Sequence, residues 1–258
     1  MRLDAGCEIT FDVAADTPMV LMLRPQSGYG QWVIEQRYNL STRVPVTEYM
    51  DSYGNLCQRL TAPKGRFVVS TGTVAETSPT IDVEPGAPLT LVQNLPDYAL
   101  QFLLPSRYCP SDQVGDLASE IIKDVQPGYD QVAMIQDWIH DNIEYQYGAS
   151  NPSTWALDTI RDRKGVCRDF SHLAISLCRF LSIPARMVVG YLHKLDPMDL
   201  HAWFEAFVNG RWYTFDATQE RSRGGRIAIA YGRDAADVAL ATQFGPAPIK
   251  EMKVWVKG

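Results

Sequence analysis

The pattern of hydrophobic positions along the 258 residues first changes near residue 105. Before this point, short apolar and aromatic runs alternate with turn residues, without convincing helical periodicity. Such runs predict β-strands, here over Cys7–Val13, Met19–Leu23, Gln31–Leu40, Val46–Met50, Leu56–Leu60, Arg66–Glu76 and Leu89–Gln93. Several strands at short spacing predict an antiparallel sandwich or barrel for residues 1–105.

Helical spacing dominates the chain directly after this point. Apolar stripes predict helices over three stretches: Leu117–Val125, a helix from a cap near Asp130 to Tyr145, and Ser153–Ile160. The strongest stripe follows, at Phe170, Leu173, Ala174, Leu177, Cys178 and Leu181. This last helix must end before Pro184, because proline cannot continue it.

Strand patterns return after this helix. Ala185–Tyr191 is strand-like, Arg221–Arg226 is polar and predicts a loop, and Ile249–Val256 alternates enough to close the sheet as its final strand. Helices followed by antiparallel strands indicate an α+β arrangement, in which a helix packs on a sheet. We therefore predict a β-rich N-terminal domain, residues 1–105, and an α+β domain, residues 106–258.

An aromatic hairpin brings two polar residues together. Its predicted strands, His201–Val208 and Arg211–Ala217, flank Asn209-Gly210, which favours a two-residue type I′ turn. This turn places Asp216 opposite Trp203 and makes it the diagonal neighbour of His201 on one face. Diagonal neighbours lie about 7–8 Å apart, which a carboxylate and an imidazole can bridge.

Cys167 extends the strongest helical stripe backwards into the first turn of that helix. The N–H groups and partial positive charge of a helix N-terminus stabilise a thiolate, which is the reactive form of cysteine. A nucleophilic thiol also needs a base, and the base needs an orienting group. Cys167, His201 and Asp216 could supply these three roles. The alternative is that Cys167 is a small buried apolar residue.

Three blocks of sequence resemble a known family. Gly165–Phe170, His201–Trp203 and Tyr213–Thr218 are similar, in this order, to the core motifs of the transglutaminase-like superfamily of papain-type cysteine enzymes. Gly232–Val238 resembles a downstream stretch of its bacterial members. The turn Asp51–Asn55 resembles part of the β-rich N-terminal region in one bacterial branch.

This resemblance implies a papain-like catalytic domain that acts as a cysteine hydrolase, a protease or amidase. Cys167 would form a thioester, His201 would act as general base and then general acid, and Asp216 would orient His201. The Cys167 N–H would donate to the oxyanion, and Trp155 and Tyr147 are candidates for a second donor. Both could instead be core aromatic residues. Two other functions stay open: acyl transfer to an amine, and a non-catalytic binding module that retains the fold.

The charge of the chain and its cysteines limit the kinds of partner and cofactor that we expect. A net charge of −6 without a run of Lys and Arg argues against nucleic acid and anionic membranes. No apolar stretch reaches about 18 residues and Met1–Gly6 does not begin a leader, so we expect a cytoplasmic protein. The five cysteines form no C-x-x-C motif, and no acidic calcium loop is present. We expect no metal or other cofactor, and a protein or peptide substrate.

Overall fold

The computed structural model describes residues 1–28 and 30–258, and within them the chain forms fourteen strands and five α-helices. The strands are β1 Arg2–Val13, β2 Thr17–Leu21, β3 Gln31–Leu40, β4 Val46–Met50, β5 Leu56–Ala62, β6 Gly65–Thr77, β7 Glu144–Tyr145, β8 Lys164–Gly165, β9 Ala185–Leu192, β10 His201–Val208, β11 Arg211–Phe215, β12 Arg226–Gly232, β13 Ala241–Gln243 and β14 Ile249–Lys257. The helices are α1 Asp97–Leu100, α2 Gly115–Ile121, α3 Tyr129–Asn142, α4 Ala156–Asp162 and α5 Cys167–Phe180. None of these described helices is both long and apolar enough to cross a bilayer.

The six strands of the β-rich N-terminal region, together with β13 and β14 from the end of the chain, form two four-stranded antiparallel sheets. Sheet 1 has the strand order β14-β1-β6-β3, and sheet 2 has the order β13-β2-β5-β4. On β1, alternate side chains point into the core, because successive residues of a strand face opposite sides; Leu3, Ala5, Cys7, Ile9 and Phe11 are all buried. The prediction of an N-terminal antiparallel β-structure is confirmed.

The last strand of the chain lies in sheet 1, so the expectation that it closes the α+β sheet is wrong. β14 pairs antiparallel with β1, and Trp255 is the partner of Gly6. A Cβ atom on Gly6 would lie 2.3 Å from the Trp255 ring, so this pairing depends on the missing side chain. Alternation in residues 249–256 predicts a strand but carries no information about which strand accepts it. A division of the chain at residue 105 stays a prediction.

The strand predicted at Leu89–Gln93 is also wrong. Val92–Asn94 form a single 3-10 turn, and the Leu89 N–H donates to the carbonyl of Pro127, outside any sheet. Leu91 and Val92 are exposed, so this apolar run does not form the face of a sheet. Pro88, which has no N–H, adjoins the segment and cannot contribute a donor to a strand ladder.

Sheet 3 is the sheet of the α+β part of the chain and has the strand order β11-β10-β9-β12. α5 packs on one face of it, where Phe204, Ala206 and the buried side of α5 join one hydrophobic core. Trp203 and Glu205 alternate with these residues and lie on the opposite face. The predicted α+β arrangement is confirmed. The other helices also form, with bounds shifted by a few residues; α3, for example, is capped by Gly128 and not by Asp130.

The β10–β11 hairpin has the predicted register. Val208 pairs with Arg211, and the ladder continues to Phe204 opposite Phe215. Asn209 and Gly210 have φ angles of 48° and 79°, as a type I′ turn requires. The turn therefore sets which side chains share a face of sheet 3.

Two amide side chains join sheet 3 to the N-terminal sheets. The Asn55 amide donates to the Tyr231 carbonyl and accepts from the Tyr231 N–H, both at 2.8 Å. Gln31 makes the same pair of bonds with Ala228, at 2.9 and 2.7 Å. Because β12 is an edge strand, these amides satisfy backbone groups that have no neighbouring strand. This explains why the Asp51–Asn55 turn lies against sheet 3.

Candidate active site

Cys167 is the first residue of α5, at the end of the helix that faces the start of the hairpin. The Asp169 carboxylate accepts the Val166 N–H at 2.9 Å and so caps this end of the helix. A Cβ atom on Gly165 would lie 2.7 Å from the Cβ atom of Asp169, so glycine leaves room for the cap. Cys167 is partly exposed, whereas the other four cysteines are buried.

His201 and Asp216 meet as the hairpin register predicts. His201 Nε2 lies 2.8 Å from Asp216 Oδ2, and both side chains are almost completely buried. The Cys167 thiol lies close enough to the His201 ring to raise the pKa of that ring. Since Asp216 occupies Nε2, the ring nitrogen left for Cys167 is Nδ1. The structure thus brings the three predicted residues together.

The charges of this group depend on one another. Burial by itself would lower the pKa of His201, but the Asp216 charge, their hydrogen bond and a contribution from Cys167 raise it to about 9. Burial likewise opposes ionisation of Asp216, yet His201 and Arg226 hold the pKa of this carboxyl well below its usual range. The site therefore favours an imidazolium paired with a carboxylate at neutral pH.

Arg226 is a further residue of the site that the sequence reasoning missed. Its Nη2 donates to Asp216 Oδ2 at 2.8 Å, while Thr218 Oγ1 donates to the other carboxylate oxygen at 2.7 Å. The polar composition of residues 221–226 predicts a loop that ends at Arg226, but Arg226 is the first residue of β12. The alternation of Ile227–Ala230 was the available signal for this strand.

Tyr145 is the aromatic side chain next to the thiol. β7 pairs with β8 in parallel and sets Tyr145 opposite Gly165, two residues before Cys167. Burial and the nearby Cys167 raise the pKa of the Tyr145 hydroxyl, and the Cys167 backbone N–H lies within hydrogen-bonding reach of it. The hydroxyl therefore stays protonated and can donate a hydrogen bond. The sequence reasoning missed this residue.

The two predicted oxyanion donors lie in different surroundings. Tyr147 is 54% exposed, and its ring packs edge-on against Tyr145 at 5.4 Å. Trp155 is the N-cap of α4, and its described hydrogen bonds all lie within that helix. Tyr147 thus reaches the thiol region through Tyr145, while the described contacts of Trp155 do not include Cys167.

A small cavity adjoins His201. It has a volume of about 220 Å³ and is lined by His201, the two tyrosines Tyr145 and Tyr147, and the loop over residues 195–200. Among the described residues, no group of three or more His, Cys, Asp or Glu side chains is arranged to hold a metal ion. The chemistry that this arrangement can carry out is nucleophilic attack by a thiol beside an oriented imidazole.

His172, the other histidine near Cys167 in sequence, is structural. Its ring stacks on Tyr108 with 4.9 Å between centroids, and its Nε2 accepts the Ala235 N–H at 3.1 Å. Complete burial lowers the pKa of His172 to about 3, so it stays neutral. It packs α5 against the segment after β12.

Comparison with known proteins agrees with this geometry. The sequence model of the transglutaminase-like superfamily matches residues 115–217, which include all three site residues. An uncharacterised protein of Mycobacterium leprae is 30% identical over 234 residues, which are 84% of this chain and 82% of that protein. The human kyphoscoliosis peptidase is 24% identical over 115 residues, 40% of this chain and 17% of that protein.

A solved structure extends the likeness to the whole fold. The crystal structure of a candidate cysteine protease from Cytophaga hutchinsonii is 37% identical, with a TM-score of 0.92. The match covers 100% of this chain and 90% of that one, so it includes the β-rich N-terminal region. On these similarities of sequence and fold, this chain belongs to the transglutaminase-like superfamily.

Proposed function

We propose that the protein is a cysteine hydrolase that cleaves amide or peptide bonds through a thioester on Cys167. The observation that carries this proposal is the partly exposed Cys167 thiol beside a His201 ring that is held by Asp216. Two of the similar proteins, the Cytophaga hutchinsonii protein and the human peptidase, have names that denote peptide-bond hydrolysis, which supports the same reaction class.

In the first half of the reaction, the Cys167 sulfur attacks the carbonyl carbon of the substrate amide. The carbon–sulfur bond forms, and the tetrahedral oxyanion collapses as the carbon–nitrogen bond breaks. The proton of the His201 imidazolium passes to the departing amine, so a neutral amine leaves and a thioester remains. The pKa of His201, raised to about 9, keeps this proton available at neutral pH.

In the second half, the neutral His201 imidazole accepts a proton from water. The hydroxide formed attacks the thioester carbon, and the carbon–sulfur bond breaks to release a carboxylic acid and the Cys167 thiolate. His201 is again the imidazolium, so the starting charges are restored. Asp216 keeps its negative charge throughout and stabilises the imidazolium.

We propose Tyr145 as the side-chain donor to the oxyanion, together with the Cys167 N–H. Its hydroxyl lies beside both the thiol and this N–H, so a substrate oxygen bound there would meet two donors. Trp155 and Tyr147 stay predictions for the same role. A Tyr145→Phe variant should lower kcat by about 10²-fold with a smaller change in KM, since the donor acts on the transition state.

The test is a screen of fluorogenic peptide amides and glutamine amides with the full chain, with mass spectrometry to detect an acyl group on Cys167. Cys167→Ala and His201→Ala should abolish turnover, while Cys57→Ala, which removes a buried thiol of sheet 2, should not. An added primary amine distinguishes hydrolysis from acyl transfer. Acyl transfer converts part of the substrate into the amide of the added amine, whereas hydrolysis gives only the carboxylic acid. An unmodified Cys167 with every substrate would refute the proposal and favour a non-catalytic binding module.

A further inference from the structure

Asp216 leaves sheet 3 directly after the end of β11. The ladder between the two hairpin strands ends where Phe204 pairs with Phe215, one residue before Asp216. A buried backbone N–H needs an acceptor, and outside a ladder this acceptor comes from a side chain or from water. The residue that carries the carboxylate of the candidate active site is therefore held by contacts outside the sheet.

Two side chains share the N–H of Asp216. It donates to Gln136 Oε1 at 3.0 Å and to Ser222 Oγ at 2.9 Å. The Ser222 hydroxyl itself donates to the same Gln136 oxygen at 2.8 Å. An amide oxygen has two lone pairs, so Gln136 Oε1 can accept from both donors at once. Gln136 thus holds the Asp216 N–H directly and also orients the hydroxyl that shares it.

The helix that carries Gln136, α3, contacts this segment of the chain twice. His140 lies one turn further along the same face of α3, and its Nδ1 donates to the Ala217 carbonyl at 3.1 Å. Gln136 Nε2 donates to Asp137 Oδ1 at 3.3 Å, so the amide oxygen is the atom that serves Asp216. α3 therefore binds both the N–H of Asp216 and the carbonyl of the next residue.

The contacts of the Asp216 carboxylate depend on the position of this backbone. Its Oδ1 accepts from Thr218 Oγ1, and its Oδ2 lies 2.8 Å from both His201 Nε2 and Arg226 Nη2. An aspartate side chain is short, so a shift of its backbone passes to the carboxylate. Because hydrogen bonds and Coulomb attraction both weaken with distance, a displaced carboxylate would stabilise the His201 imidazolium less.

We propose that Gln136 is a positioning residue of the candidate active site. Its described hydrogen bonds go to Asp216, Ser222 and Asp137, so it acts on His201 through the backbone of Asp216. The kinetic part of this inference rests on the proposed hydrolysis. In that reaction a misplaced Asp216 orients the imidazolium less well, which slows proton transfer to the departing amine and leaves substrate binding unchanged.

The test is an NMR titration of His201 in the full chain, with kcat and KM measured on the amide substrate that the screen identifies. Gln136→Met keeps an unbranched side chain of similar length and removes the acceptor. We expect the titration midpoint of His201 to fall by about one pH unit, and kcat to fall about tenfold with little change in KM. In Gln136→Glu a carboxylate oxygen still accepts from both donors. The midpoint should therefore not fall, and kcat should stay within about threefold of wild type.

Gln131→Met is the matched control. Gln131 Oε1 accepts the Gly128 N–H at 3.3 Å at the start of the same helix, so this variant loses a similar hydrogen bond away from Asp216. Circular dichroism verifies folding, and Gln136→Asn, which is one methylene shorter, replaces Gln136→Met if that variant unfolds.

Three results would overturn the proposal. They are a His201 midpoint within about half a pH unit of wild type in the folded Gln136→Met protein, an equal fall in Gln131→Met, and an equal fall in Gln136→Glu. The titration needs no turnover. An inactive wild-type protein would therefore count against the proposed hydrolysis alone, while the midpoints still decide the role of Gln136.

Discussion

The charge state of His201 offers the sharpest test of the site, and Asp216→Asn is the perturbation. Asparagine keeps the size of the side chain and removes the negative charge that lies 2.8 Å from the His201 ring. Burial is the largest influence on the pKa of His201 and lowers it; the Asp216 charge is the main influence in the other direction. In the variant we therefore expect the His201 pKa to fall from about 9 to below its ordinary value of 6.5.

The size of the effect follows from the pKa. A rise from 6.5 to about 9 corresponds to roughly 3 kcal/mol of preferential stabilisation of the protonated ring in the folded state. Because the folded protein binds this proton more tightly, the stabilisation is fully present below pH 6.5 and is lost as the pH rises through about 9. In Asp216→Asn, this fall in the free energy of unfolding between pH 6.5 and 9 should disappear.

The assay is an NMR titration of protein with isotope-labelled histidine, in which only four rings contribute signals. Urea unfolding at pH 6.5 and 9 measures the stability change in parallel. Asp141→Asn is the matched control, since it removes an exposed carboxylate of α3 that is not among the main influences on the His201 pKa. The reasoning is refuted if the titration midpoint of His201 in the wild-type protein lies near pH 6.5. It is also refuted if the midpoint in Asp216→Asn stays within about half a pH unit of the wild-type midpoint.

Three further outcomes are expected. Iodoacetamide should modify Cys167 in the native protein and reach the other four cysteines only after unfolding, because those are buried; peptide mapping that finds a different cysteine modified first contradicts this. Arg226→Gln should lower the free energy of unfolding by about 3 kcal/mol, since it leaves a buried carboxylate with one cation fewer. Arg161→Gln, at an exposed ion pair, should change it by less than about 1 kcal/mol, and equal losses in urea unfolding would count against the argument. Asn55→Ala should lower the free energy of unfolding by about 1–3 kcal/mol, because the N–H and carbonyl of Tyr231 lose their hydrogen-bond partners. An unchanged free energy of unfolding in chemical denaturation would disprove this.

The pairing of His201 with Asp216 could be predicted because its determinants are local. Asn209-Gly210 specifies a two-residue turn, the turn sets the register, and the register places both side chains on one face. The position of Cys167 in the first turn of α5 follows in the same way from a helical stripe of apolar residues. Each of these inferences spans less than about twenty residues of chain, over which backbone geometry is regular.

Contacts between distant segments could not be predicted in this way. β14 pairs with β1, and Tyr145 reaches Cys167 through a two-residue parallel pairing. Arg226 is only ten residues from Asp216, but it reaches this carboxylate from β12, which pairs with β9 and not with the hairpin strands. Each depends on how whole elements pack. Alternation of apolar residues predicts a strand but does not specify which strand it pairs with. The residues around an arginine in a polar segment do not show whether its side chain is solvated or buried.

The sequence by itself thus determined the chemistry: a thiol at a helix N-terminus, a histidine and an aspartate on one hairpin face, and a β-rich region before them. The tertiary structure decided their surroundings. Burial of Asp216 between His201 and Arg226 sets the charge state of the site, because ionisation depends on burial and on distances that only the packing of whole elements determines. Closure of sheet 1 by the last strand joins the two ends of the chain, which local pattern cannot specify.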